Sequence, residues 1–284
     1  MIKKIAQYTC VFVCFGMSFP CLGDSGSGPA DAPAVDRTGA PKASIAPGDM
    51  GTSTERSIGV LLKARDTNEE IYRNLHSFVC SEEIERFRGP FETAAAKRID
   101  TVTATVSFEN GTEHYSDIRQ NTKLRPDMSS LGGAWSEGEF GTLLQQTQTL
   151  LSTQTPVFEA YENLDGTPAA VFEVEVSATG SPWDLVVRSQ HYRVPFRSRV
   201  WISESGGEIL KIERTSTYMP AGIGISEIRW NVQLKQVDLN GKTWLLPSVG
   251  EYAVFYDDAS HREWNVMRFT NYHRYGSEVA IRFE

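Results

Sequence analysis

Cysteine is scarce in this sequence, and its distribution excludes a disulfide framework. Three of the four cysteines (Cys10, Cys14 and Cys21) lie within the first 23 of 284 residues. If that segment is removed as a leader, Cys80 alone remains and no disulfide can form within the mature chain. The expected role of Cys80 is that of a small buried hydrophobic side chain.

Motifs for metal, cofactor or nucleophilic chemistry are also lacking. None of the five histidines has a partner at the i+2 or i+4 spacing that would place two imidazoles on one face of a strand or helix. No P-loop, Rossmann glycine motif or zinc motif is present. Ser136 lies in a segment, 134–138, that loosely resembles a nucleophile elbow, but no strand pattern leads into it. We therefore predict a non-enzymatic protein with no catalytic residues, metal or cofactor.

Positive charge is in deficit as well. Lysine and arginine total 28 against 36 aspartate and glutamate, which gives a formal net charge of −8. Nucleic acids and anionic lipid surfaces attract basic patches on a protein. The charge balance therefore predicts no nucleic-acid partner.

No apolar run is long enough to cross a membrane, which takes about 20 residues. The short apolar segment Tyr8–Phe19 follows two lysines and precedes small residues at positions 21 and 23, so residues 1–23 are predicted to be a signal peptide. Lipid attachment at Cys21 is not expected, because Pro20 stands directly before it. The mature chain is predicted to be soluble and periplasmic or extracellular, without a transmembrane segment.

The rest of the chain divides into a tether and one β-rich domain. Residues 24–56 are rich in glycine, proline, alanine and serine and are predicted to be a disordered tether. Residues 57–284 form the domain: helical spacing comes first, and period-two alternation follows, as in the segment Ala169–Ala178. Dipeptides such as Asn240-Gly241 indicate tight hairpin turns. About eleven or twelve strands in such a meander should curl. The predicted fold is a strongly curved or incompletely closed antiparallel β-barrel, with one or two helices packed on its inner face.

One helix stands between the blocks of strands, in Gly132–Leu151. Ser136 and Glu139 have the spacing of a capping box at its start. Phe140, Leu143 and Leu144 begin an apolar face that continues at helical spacing. An amphipathic helix needs a partner that covers its apolar side, and the expected partner is the concave face of the sheet.

Several segments resemble known families. The runs FVCSEEIERFRG, GAWSEGEFGTLL, SRVWISESGGEILKIERT, and WLLPS followed by NVMRFTNYHRY resemble a family of exported acidobacterial proteins. The hairpin from Val200 to Arg214 also resembles the bacterial lipoprotein-carrier superfamily typified by LolA, although Ser203–Gly206 replaces the usual Asp and Thr-Gly. The second resemblance implies an unclosed barrel with a helical lid, whose apolar inner surface receives acyl chains. Neither resemblance implies a reaction.

Two functions follow as expectations. The first is an exported binding protein that holds a lipid, a lipoprotein acyl chain or another apolar ligand between sheet and helix, lined by Trp135, Phe140, Leu143 and Leu144. The second is a tethered protein-interaction module of the cell envelope, with a filled core and no ligand. The six tryptophans fit either reading, because aromatic side chains line cavities and also fill cores.

Overall fold

The computed structural model describes residues 11–13, 50–75, 78–90, 96–109, 111–258 and 262–274. Two α-helices lie within these ranges, α1 (Met50–Leu75) and α2 (Thr142–Thr153). The strands are β1 (Val11–Val13), β2 (Phe78–Gly89), β3 (Lys97–Glu109), β4 (Thr112–Gln120), β5 (Lys123–Leu124), β6 (Val157–Leu164), β7 (Thr167–Val176), β8 (Asp184–Val187), β9 (Gln190–Arg193), β10 (Phe196–Ser203), β11 (Ile209–Ser216), β12 (Ile225–Leu239), β13 (Lys242–Tyr256) and β14 (Arg262–Arg274).

Eleven of these strands form one antiparallel sheet, in the order β5-β4-β3-β2-β14-β13-β12-β11-β10-β7-β6. The strands β5 and β6 are its two edges, so the curved sheet does not close on itself. A smaller sheet joins β8 and β9 with β1, which comes from the segment predicted as a leader. The large sheet confirms the predicted fold class, a mainly β domain with an incompletely closed barrel.

Two-residue turns set the register of the longest hairpins. Asn240 and Gly241 join β12 to β13 with φ values of 53° and 77°. Asp165 and Gly166 join β6 to β7 with 50° and 88°. Positive φ at both central positions is the geometry of the type I′ turn, whose twist matches that of paired strands.

The helix α1 is one continuous element that packs on the turn between β10 and β11. It begins ahead of residue 57, where the sequence predicts the domain to start. The Asn68 side chain donates to the carbonyl of Gly207 at 2.8 Å and accepts from the backbone N–H of Ile209 at 2.9 Å. Gly207 has a φ of 80°, and a Cβ there would lie 3.0 Å from the backbone nitrogen of Ala64. The close approach of α1 to this turn therefore requires glycine.

The helix α2 begins later than the sequence predicts. Its first residue is Thr142 and its N-cap is Gly141, which offers no side-chain bond. The predicted capping box is wrong, because the Ser136 hydroxyl bonds to the Glu139 carboxylate rather than to a backbone N–H of the first turn. The free N–H groups of Gly141 and Thr142 instead donate to Glu113 of β4. A side chain from the sheet has replaced the local cap.

The core fills the space between the concave face of the large sheet and α2. Cys80 is buried in it, as predicted, and forms no disulfide within the described ranges. Among the residues with assigned positions, no helix combines the length and apolar character needed to cross a membrane. The largest fully buried side chains are Trp135, Trp183, Trp230, Arg214, Tyr252, Phe78, Phe108, Phe140, Phe172, Phe196 and Met128.

Candidate functional site

The four residues predicted to line a ligand groove lie together in the packed core. Trp135, Phe140, Leu143 and Leu144 are between 0% and 3% exposed. The ring of Phe140 stacks on that of Tyr272, with 6.1 Å between the ring centroids. All four side chains therefore belong to the hydrophobic core, where other side chains of the protein surround them, and their role in ligand binding stays a prediction.

An open cleft of about 740 Å³ lies elsewhere, between the second half of α1 and the ends of several strands. The turns from β6 to β7 and from β10 to β11 form one side of it, and the long hairpin of β12 and β13 forms the other. Its apolar lining consists of Ile71, Leu164, Leu210, Leu234, Trp244 and Leu245. Its charged lining consists of Glu70, Asp165, Glu208, Lys235 and Lys242. The cleft is thus apolar on part of its wall and charged on the rest.

Trp244 is the aromatic side chain in this cleft. It is half-buried and packs edge-on against Phe78, with 5.1 Å between the ring centroids. The ammonium group of Lys242 lies 4.1 Å from the centre of its ring, within the range of a cation–π interaction. Its indole N–H is buried and has no hydrogen-bond partner among the described residues.

The six tryptophans divide between the two roles considered from the sequence, filling the core and lining a cavity. Five of the six are buried, whereas Trp244 lines the cleft. Period-two alternation could not separate these cases, because it shows which face of the sheet a residue occupies and not whether that face is covered.

A second polar feature, a group of buried carboxyl groups, surrounds the start of α2. Glu113 accepts hydrogen bonds from the backbone N–H of Gly138 at 3.1 Å, of Gly141 at 2.7 Å and of Thr142 at 2.9 Å. It also accepts from the hydroxyl of Tyr115 at 2.6 Å. A carboxylate is favoured here because the N-terminus of a helix carries partial positive charge. Sequence reasoning missed this residue, since Glu113 precedes Thr142 by 29 positions and no local pattern links them.

Three more glutamates belong to this group. Burial and the nearby charge of Glu113 raise the pKa of Glu139 to about 8 and that of Glu137 to about 7. Burial and the neighbouring Glu139 raise the pKa of Glu82 well above its usual range. One oxygen of Glu82 and one of Glu139 have no hydrogen-bond partner in the described parts of the chain. Glu139 is therefore mainly protonated at neutral pH, and burial also favours the neutral form of Glu82, which limits the repulsion among these side chains.

This group does not form a metal centre. Within the described ranges, no three histidine, cysteine, aspartate or glutamate side chains are arranged so that they could hold a metal ion. The arrangement instead attaches the start of α2 to the sheet through the carboxylate of Glu113, which accepts from the backbone N–H groups there.

Comparison with known proteins gives distant structural neighbours only. No family model and no curated protein matches the chain. A domain described as an outer membrane lipoprotein-sorting protein, from Vibrio parahaemolyticus, is 8% identical with a TM-score of 0.36; the match covers 78% of this chain and 94% of that one. A DUF1329 family protein from Desulfovibrio piger is 10% identical with a TM-score of 0.36, over 78% and 95% of the two chains. MucB, solved in complex with MucA(peri), is 11% identical with a TM-score of 0.20, over 75% and 93%.

With TM-scores below 0.5, these neighbours carry no argument about the family of this chain, its ligand or its mechanism. The resemblance to the carrier superfamily stays a prediction. The resemblance to the exported acidobacterial family stays a prediction, since no family model or curated protein matches.

Proposed function

We propose that this protein is an exported, non-enzymatic binding protein that holds a lipid or another apolar ligand. The observation that carries the proposal is the cleft beneath α1. Its volume of about 740 Å³ falls within the roughly 300–1,000 Å³ of ligand sites in proteins. An amphiphile fits its composition, because apolar side chains such as Leu245 can contact an acyl chain while charged residues such as Lys242 stay near water.

The cleft would serve as the entrance and the concave face under α2 as the place where the ligand is held. In this proposal α2 moves away from the sheet, and the acyl chain takes the space against Trp135, Phe140, Leu143 and Leu144. The shortness of α2 supports such a movement: it has 12 residues, and isolated helices of that length are marginally stable in water. Its position thus depends on contacts with the sheet, which a ligand can replace.

A titration with a fluorescent fatty acid tests the proposal. Leu245→Asp places a charge on the apolar wall of the cleft at a half-buried position, and we expect it to weaken binding at least tenfold. Leu124→Asp is the matched control, because Leu124 is exposed on the edge strand β5 and does not line the cleft. A folded Leu245→Asp variant that binds as tightly as the wild type would show that the cleft is not on the binding path.

A second function, the interaction module with a filled core, is favoured by one observation. Trp135 and Phe140, together with Leu143 and Leu144 of α2 itself, are almost completely buried, so the structure shows a filled core at these four residues. A partner could add a strand to the open edge at β5 or at β6 and use the backbone hydrogen bonds of the sheet. This module would take up no fatty acid in the same titration, so one experiment separates the two functions.

A further inference from the structure

Arg214 is a fully buried cation on the concave face of β11. Its guanidinium donates to the side-chain oxygen of Gln146 at 2.7 Å and to the hydroxyl of Thr147 at 3.3 Å, and both of these residues belong to α2. The group also lies 4.7 Å from the centre of the Phe196 ring. Its Nε–H has no acceptor among the described residues. Burial lowers the pKa of Arg214 to about 9, so that the side chain remains charged at neutral pH.

The absence of an acid beside Arg214 sets it apart from the other buried arginine. Arg86 is also buried, and its two nitrogens Nε and Nη2 each donate to Asp100 at 2.6 Å. No ion pair to Arg214 occurs in the described residues. A buried charge is costly unless it is paired, and its partners here are neutral oxygens. Arg214 is therefore a buried cation on the concave face, and the described residues place no carboxylate beside it.

Ser198, on the neighbouring strand β10, is a second buried polar side chain on the concave face. It lies directly opposite Arg214 in the register of β10 and β11, and it is completely buried. Its hydroxyl has no hydrogen-bond partner within the described ranges. Residues around this pair on the same face, such as Val200, Ile212 and Trp230, are apolar. Two donors without an acceptor in the described residues thus lie opposite each other on paired strands, among apolar side chains.

We propose that Arg214 and Ser198 bind the carboxylate of a fatty acid in the groove beneath α2. The inference rests on the proposed function and specifies its ligand class. A planar guanidinium donates two parallel hydrogen bonds to a carboxylate, and such charged bonds are stronger than neutral ones. The apolar side chains around the pair would contact the acyl chain.

The helix α2 occupies this position in the structure. The side-chain oxygens of Gln146 and Thr147 are neutral acceptors for the two terminal nitrogens of Arg214. When α2 moves, a carboxylate can bind side-on to the Nε–H and the Nη2–H of Arg214, in place of the Thr147 hydroxyl, and can accept from the Ser198 hydroxyl. Binding of the anion thereby favours the displaced position of the helix, because a charged acceptor replaces neutral ones.

The test compares laurate with lauryl alcohol, two ligands with the same acyl chain and different head groups, on the delipidated full domain by calorimetry. We expect the wild type to bind laurate roughly tenfold to a hundredfold more tightly than the alcohol. Arg214→Met should reduce the affinity for laurate to that for the alcohol. Lys211→Met is the matched control, because it removes a positive charge from the opposite face of the same strand and should keep the preference.

The outcomes separate this inference from the proposed function. Equal affinity of the wild type for the two ligands would overturn the carboxylate site and leave the proposed function intact. Binding of neither ligand would overturn both. An Arg214→Met variant that melts at a lower temperature but still prefers laurate would assign Arg214 a structural role and overturn the inference. If Arg214→Met does not fold, the comparison of the two ligands on the wild type decides alone.

Discussion

The buried carboxyl group of Glu139 should make the free energy of unfolding fall as the pH rises. The side chain is 1% exposed, and burial together with the charge of Glu113 raises its pKa to about 8. Below an ordinary glutamate pKa of about 4.3, the group is protonated in both the folded and the unfolded state. Between that value and pH 8 the folded state alone binds the proton, so stability is lost throughout this window.

The pKa difference sets the size of the effect. One pKa unit corresponds to about 1.4 kcal/mol, so a rise to about 8 amounts to a loss on the order of 5 kcal/mol between acidic and mildly alkaline pH. Domains typically have a total stability of about 5–15 kcal/mol. The loss is therefore a large part of the stability of the domain, and the start of α2 should be the first region to show it.

Urea unfolding, followed by tryptophan fluorescence at about pH 5 and about pH 8, measures this loss. Glu139→Gln keeps the shape and cannot ionise, so its stability should depend on pH by several kcal/mol less than that of the wild type. Glu83→Gln is the control, because Glu83 is exposed on the outer face of β2 while Glu82 points into the core. An equally steep loss in Glu139→Gln and the wild type would refute the assignment of the buried proton to this residue.

Three further predictions concern the helix attachment, the buried ion pair and export. Glu113→Ala removes the acceptor of the Gly141 and Thr142 N–H groups and leaves the Gly138 N–H with the Tyr115 hydroxyl only, so it should cost about 2 kcal/mol or more and speed hydrogen exchange at the first turn of α2, which NMR can follow. Arg86→Met leaves Asp100 buried and unpaired and should cost about 3–5 kcal/mol in urea unfolding, while adding Asp100→Leu should recover most of that loss. Protein expressed with its leader and recovered from the exported fraction should begin at Asp24 by intact mass; a mass that includes residues 1–23 would contradict the predicted signal peptide.

The sheet could be predicted from the sequence because its signals are local. In β7, Phe172 and Val174 alternate with Glu173 and Glu175, and the structure shows the expected alternation of buried and more exposed positions. Turn dipeptides such as Asn240-Gly241 need no distant partner to adopt positive φ. A long series of such hairpins has few ways to bury its apolar faces other than by curling.

The start of α2 could not be predicted in this way. Ser136 and Glu139 have the spacing of a capping box, yet the chain enters the helix five residues after Ser136, at Gly141. The deciding contact comes from Glu113 on a strand, which approaches only when the sheet has formed. A local propensity was overridden by a tertiary contact, and a single sequence does not encode such a contact in a readable pattern.

The candidate site was accessible to sequence reasoning in part. Helical spacing predicts the apolar face of α2 on which Leu143 and Leu144 lie, but Phe140 lies ahead of the helix, and the filling of the space around them depends on side chains from many strands. Arg214 did leave a signal, because it follows Ile212 by two residues and therefore shares its inward face. A basic residue at an inward-facing position of an alternating strand therefore predicts a buried cation from the sequence alone.

Native mass spectrometry of the gently purified, exported protein tests the central claim of ligand binding most directly. The account predicts a population with bound lipid that dissociates on collisional activation, and whose mass identifies a fatty acid or another apolar ligand. A single ligand-free mass, together with no uptake of a fluorescent fatty acid in solution, would contradict the account and favour the interaction module with a filled core.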